Sequence, residues 1–128
     1  MQFYLTKPVD CDFDTAVERA TAALKDQGFG ILTEIDVKAT LKTKLDAEFR
    51  PYKILGACNP PLAQRALEAE PYIGALLPCN VFIQQREDGQ VEVGVMNPAT
   101  LVPITGNSAL QSVQDEVTQR IAAMLAAL

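Results

Sequence analysis

Residues 79–86 and 90–96 are two β-prone, largely apolar runs with Asp88-Gly89 between them. Such a pair reads as a β-hairpin, and few registers are open to it. A two-residue turn sets Val93 opposite Gln84, which mixes the faces. A three-residue loop, Glu87-Asp88-Gly89, instead pairs Ile83 with Val93 and Val81 with Val95. A slip of one residue would send every side chain to the wrong face, so burial of the apolar set selects the second register, with Gly89 left-handed. A hairpin with an apolar face must lie against something.

Two long helices bracketing the strands supply that cover. Over residues 12–27, Phe13, Val17, Ala20 and Leu24 make one apolar stripe. Thr15 and Glu18 fit a capping box there, although Asp12 or Asp14 suits the cap equally, and Gly28 fits the left-handed stop. Residues 108–128 carry Leu110, Val113, Val117, Ile121, Met124 and Leu128 on another stripe. Between these helices the chain predicts a short strand at 3–6, ended by Lys7-Pro8, and one at 29–35 with Phe29, Ile31, Thr33 and Ile35 on one side. A helix capped by Asp36 follows, then a strand at 52–58 that is apolar on both faces and therefore central. Asn59-Pro60-Pro61 opens a helix running to about Glu70, stopped by Pro71. Residues 72–78 make a compact connection, and 97–107, with two prolines and a glycine, a loop.

The expected fold is α+β: a mostly antiparallel sheet with two long helices on one face, a β-α-β(4)-α core plus two inserted short helices. The 128 residues, 48% of them hydrophobic, make a single domain, 1–128. The strands are too apolar to leave the second sheet face bare, so a homodimer covering part of it is expected.

Charge and composition then exclude whole classes of function. Eleven Lys and Arg stand against 16 Asp and Glu, a net charge of −5, which disfavours nucleic acid as a partner. There is no histidine, which removes Ser-His-Asp and Cys-His nucleophiles, His-ligated zinc and imidazole acid–base work. Residues 1–10 do not read as a signal peptide, and the C-terminal helix is too rich in Gln, Asp, Glu and Arg to span a bilayer. Three cysteines, Cys11, Cys58 and Cys79, are an odd number without a secretion signal, and imply a reducing cytoplasm. No metal or cofactor is expected, because two thiolates are too few for a closed zinc site.

The sharpest candidate site comes from strand ends. If the strand ending at Cys58 and the one starting at Cys79 are antiparallel neighbours, both cysteines reach one end of the sheet, and the hairpin returns the chain there at Asn97-Pro98. Cys58, Asn59, Pro60, Pro78, Cys79, Asn80 and Asn97 should then gather. Each of the two cysteines precedes an asparagine, and Cys58 precedes a helix N-terminus, which favours thiolate. The plainer reading is that the cysteines are apolar filler and the asparagines are caps. Cys11 has no partner motif and reads as filler. The Lys38, Lys42, Lys44, Arg50 and Lys53 cluster is diluted by Asp36, Asp46 and Glu48 and reads as a solvated face. Asp12 with Asp14, and Glu68 with Glu70, lie at helix ends and read as caps or solvated charge.

The runs Gly28-Phe-Gly-Ile-Leu-Thr-Glu-Ile-Asp-Val-Lys, Phe49-Arg-Pro-Tyr-Lys-Ile-Leu-Gly-Ala-Cys-Asn-Pro and Leu77-Pro-Cys-Asn-Val resemble the prokaryotic domain-of-unknown-function 302 family. The resemblance covers nearly the whole chain. It implies a TATA-binding-protein-like α+β fold, a homodimer, and Cys58, Asn59, Pro60, Pro78, Cys79 and Asn80 as shared positions. Members of that family often carry Asp where this chain has Asn97, so any charge-dependent role is lost here. The family brings no activity with it. The leading expectation is a small-ligand or partner pocket lined by Cys58 and Cys79; the alternatives are thiol or sulfur-carrier chemistry with Cys58 as nucleophile and Cys79 resolving, and a structural interaction module.

Overall fold

The computed structural model describes all 128 residues. In chain order the elements are β1 (Tyr4–Val9), α1 (Phe13–Asp26), β2 (Gly30–Asp36), α2 (Val37–Leu45), β3 (Tyr52–Cys58), α3 (Pro60–Ala69), β4 (Cys79–Gln85), β5 (Val91–Met96), α4 (Leu101–Thr105) and α5 (Gln111–Ala126). Single turns of 3-10 helix lie at Pro98–Thr100 and Ser108–Leu110, and a longer one at Pro71–Leu76. The five strands form one antiparallel sheet in the order β1-β5-β4-β3-β2. With the short helices α2, α3 and α4 set aside, the order is the expected β-α-β(4)-α; α4 is a further short helix beyond the two expected insertions.

The hairpin takes the register that burial demands. Val81 pairs with Val95 and Ile83 with Val93. Arg86 N–H donates to the Gln90 carbonyl at 2.8 Å, which leaves a three-residue loop, and Gly89 sits at φ 87°. Cross-strand partners share a face, so Leu55, Ala57, Val81, Ile83, Val91, Val93 and Val95 form one apolar surface, all of it buried. Onto it pack α1, through Ala16, Ala20, Ala23 and Leu24, and α5, through Val113, Val117, Ile121 and Met124. The alanines let α1 approach the sheet closely. Each of the larger side chains contributes about 1.5–3 kcal/mol relative to an exposed position.

The helix ends follow their local chemistry. Asp12 caps α1 by accepting from Thr15 N–H at 2.7 Å, so the Thr15–Glu18 capping box is not used. At the other end Gly28 takes φ 84°; its N–H reaches the Lys25 carbonyl, and Phe29 N–H reaches that of Leu24. Asp36 caps α2 through Ala39 N–H at 2.9 Å.

Three expectations need correction. First, β1 runs on through Lys7-Pro8 to Val9. It is an edge strand, where a missing N–H on the free side costs nothing. Second, residues 97–107 are not all loop. Asn97 caps a 3-10 turn that runs into α4, Pro103 falls within that helix's first turn, and Gly106 at φ 66° ends it. Third, a β-bulge between Ile31 and Thr33 breaks the alternation of β2. Ile31 pairs with Ala57 on the helix side, while Thr33 and Ile35 pair with Gly56 and Ile54 on the other, and Leu32 is the extra residue.

The second sheet face carries Tyr52, Ile54 and Phe82 without a helix layer of the α1–α5 kind above them. The Tyr52 and Phe82 rings stack at 5.7 Å, with the Arg50 guanidinium 4.5 Å over Phe49 and 5.5 Å over Tyr52. Phe82 occupies the space above Gly94, where any Cβ would collide with its ring. Along α2 the stripe Val37, Leu41, Leu45 is not buried, and Leu45 is 70% exposed.

Candidate functional site

The end of the sheet where β3 stops and β4 begins opens into a cavity of about 330 Å³. Its floor is Ala57, Cys58, Cys79 and Met96 from the strand ends. Its walls are Leu62, Ala63, Ala66 and Leu67 of α3, Ile73, Leu76, Leu77 and Pro78 of the following segment, Leu101 of α4, and Val113 and Val117 of α5. Phe29 and Leu32 close the β2 side. No Lys, Arg, Asp or Glu lines it, and Asn59 is its one amide.

Pairing sets the sulfur geometry. Cys79 lies directly across from Ala57, and Cys58 across from Gly30. Strand alternation therefore gives Cys79 the helix-covered face shared by Ala57 and Leu55. Cys58, one residue on, belongs to the opposite set with Gly56 and Ile54. Both border the cavity because it opens around the end of the sheet. Burial raises the Cys79 thiol above its ordinary value, and the neighbouring Cys58 adds to the same direction. That is the reverse of what an activated nucleophile or a ready resolving thiol requires. All three cysteines are free, and Cys11 packs against the core as a filler.

Asn59 is held on both sides. Its Oδ1 accepts from Leu62 N–H at 3.3 Å, capping α3, and its Nδ2 donates to the Gln27 carbonyl at 3.3 Å. The same carbonyl accepts from Arg120 Nη1 at 2.9 Å. Arg120 also reaches Glu116, which takes Arg65 of α3 at 2.7 Å. One carbonyl at the end of α1 thus ties the cavity rim to α3 and α5. Gly28 has to be glycine for a second reason here: a Cβ would come within 2.9 Å of Asn59 Nδ2.

Four of the seven expected residues border the cavity: Cys58, Asn59, Pro78 and Cys79. Pro60 is exposed at the first position of α3, outside the lining. Asn80 is exposed and pairs with Gly56 on the face opposite to that of Cys79, as alternation requires, and is outside the lining. Asn97 is spent on structure: its Oδ1 accepts from Ala99 N–H at 3.1 Å, and its Nδ2 donates to the Gln2 carbonyl at 2.9 Å. All seven lie at this end of the sheet, as antiparallel pairing requires, but only four of them line the cavity. Most of the lining, including Leu76, Ile73 and Leu101, carries no signal of a site in the sequence, and Val113 and Val117 read there only as a helix's core stripe. These residues look like ordinary core until α3 and the 3-10 segment are seen to leave space beneath them.

Part of the charged clusters is paired. Lys42 pairs with Asp46 at 2.8 Å and Glu48 at 2.9 Å, and Lys53 with Glu34 at 3.0 Å. Glu70 accepts from Tyr72 N–H and from Asn107 Nδ2, a capping role.

The sequence profile of "Domain of unknown function DUF302" matches residues 5–128. The chain belongs to the DUF302 family. It is similar to the crystal structure of an uncharacterized conserved DUF302 protein from Bacillus stearothermophilus, with a TM-score of 0.91 and 31% identity over 99% of this chain and 98% of that one. It is also similar to an uncharacterized protein of Aquifex aeolicus (strain VF5), 37% identical over 79 residues, covering 52% of this chain. The match spans 55% of that relative's length. The DUF302 structure shares the α+β fold described above, and no helix of this chain is long and apolar enough to cross a membrane.

Proposed function

We propose that this DUF302 chain binds a small molecule in the strand-end cavity beside Cys58 and Cys79. The cavity itself carries the reading. Protein interiors are packed with few voids larger than a water, and a space of about 330 Å³ falls at the small end of the range that ligand sites occupy. Its walls come from three helices and the sheet, held in place by the Gln27 carbonyl network rather than by a loose loop. Thiol chemistry has less support, since burial works against ionisation of Cys79. The net charge of −5 argues against phosphate-rich partners. The free thiols fit a reducing cytoplasm.

Benzene is a suitable first probe, because dry apolar cavities of about 150 Å³ already take it up. Saturable methyl shifts at Leu62, Ile73 and Val113 support the site, provided they vanish in Ala63→Phe, which fills the space. Shifts that survive Ala63→Phe, or none at all, refute it.

The uncovered sheet face supports a second, separate proposal: a homodimer in which a second copy lies over part of Ile35, Ile54, Tyr52 and Phe82. Ile35 is 48% exposed on that face and pairs with Ile54, whose partner on the other side is Phe82 of the stacked Tyr52–Phe82 pair.

A further inference from the structure

The cavity has a distinctive doorway. Two large apolar side chains at its edge face water: Leu32 is 66% exposed and Leu67 is 45% exposed. Leu32 is there because β2 bulges between Ile31 and Thr33, so this one residue falls outside the pairing with β3. Bulges re-aim side chains in this way, at a cost to the ladder. A second observation concerns charge. The cavity holds no ionisable group other than its thiols, and its one amide, Asn59, is held in place by bonds to Leu62 N–H and the Gln27 carbonyl. No charged side chain inside can neutralise a buried charge, and an unpaired buried charge is strongly disfavoured.

From these observations we infer that the ligand is an uncharged, predominantly apolar molecule that enters between Leu32 and Leu67, with Leu32 as the residue that selects it. This rests on the cavity reading above and deepens it. At a liquid's share of about 30 Å³ per water-sized unit, the space takes about eleven non-hydrogen atoms, the scale of a medium-chain alcohol or a substituted aromatic rather than a long lipid. The apolar rim then does two things. It offers a dry landing for the part of the ligand still outside, and it denies a carboxylate or ammonium head any partner at the mouth.

The test compares octan-1-ol with octanoate on the full chain at neutral pH, followed by the methyl shifts of Leu62, Ile73 and Val113. The inference expects saturable shifts with octan-1-ol and binding of octanoate at least about tenfold weaker, because only the carboxylate loses its hydration unpaired. Leu32→Asp lies at an exposed position and keeps the fold, which unchanged amide shifts away from the cavity will confirm. It should weaken octan-1-ol by about fivefold or more, by placing a charge against the bound chain. Octanoate binding as tightly as the alcohol overturns the ligand class while leaving the cavity as a site. Undiminished alcohol binding by Leu32→Asp overturns the role of Leu32. No shift with either probe overturns the class and the cavity reading together.

Discussion

Cys79 stands directly opposite Ala57, and Cys58 is the next residue along β3. The two sulfurs therefore border the same cavity while their Cα–Cβ bonds leave adjacent strands toward opposite faces. A disulfide needs facing Cβ vectors as well as nearby Cα atoms. Mild oxidation of the folded chain with diamide should leave the Cys58–Cys79 bond unformed. Peptide mapping by mass spectrometry checks this, and a Cys58–Cys79 peptide recovered in high yield from folded protein contradicts it.

The Cys79 thiol should also ionise late. Its folded-state value lies above the ordinary one of about 8.5, first because it is buried and second because Cys58 is beside it. A thiol is charged when deprotonated, so raising its folded value contributes stability below the unfolded value that is lost as pH climbs through the folded one. Iodoacetamide labelling of Cys79 should have a higher pH midpoint in the folded chain than in urea. Cys58→Ser should bring that midpoint part of the way down, since burial is the larger cause. Equal midpoints in folded and unfolded chains contradict the burial of this thiol.

Asn59 is 7% exposed and holds two backbone groups at once, the Leu62 N–H and the Gln27 carbonyl. Asn59→Ala should destabilise the chain by about 1–2 kcal/mol, the usual cost of losing a cap together with one further hydrogen bond. The urea midpoint reads this. The Arg120 bond to the same carbonyl remains, so the fold should survive the change. A midpoint equal to wild type would mean that the rim is not anchored there.

On the uncovered face, Ile35→Glu places a charge beside Ile54 at a position that is already 48% exposed. The folded monomer should tolerate it, whereas a second copy lying over that face should not. Sedimentation velocity is expected to show a dimer for wild type and a monomer for the variant. A wild-type monomer at all concentrations removes the dimer proposal.

Much of this fold was legible because its signals are local and redundant. The 79–96 hairpin had one register that buried its valines, and the chain adopts it. Leu110, Val113, Val117, Ile121 and Met124 recur at helical spacing, and all five are buried. Asp36 and Asn59 are capping residues next to helix formers, and both cap. What escaped was decided by neighbours. Pro8 reads as a strand end unless one knows that β1 is an edge. The bulge at Leu32 has no glycine or proline to mark it, and it follows from how β2 meets β3. Asn80 and Asn97 look like companions of the cysteines in the sequence, yet alternation turns one away and a helix turn takes up the other. The cavity is legible only once α3 and the 3-10 segment at Pro71–Leu76 have been placed over the strand ends.

Native mass spectrometry of the chain as purified from its own host, without organic extraction, tests the cavity most directly. The account predicts a population carrying a small neutral mass that is released on unfolding and is absent from Ala63→Phe. A bare chain, or an added mass that Ala63→Phe retains in full, would contradict it.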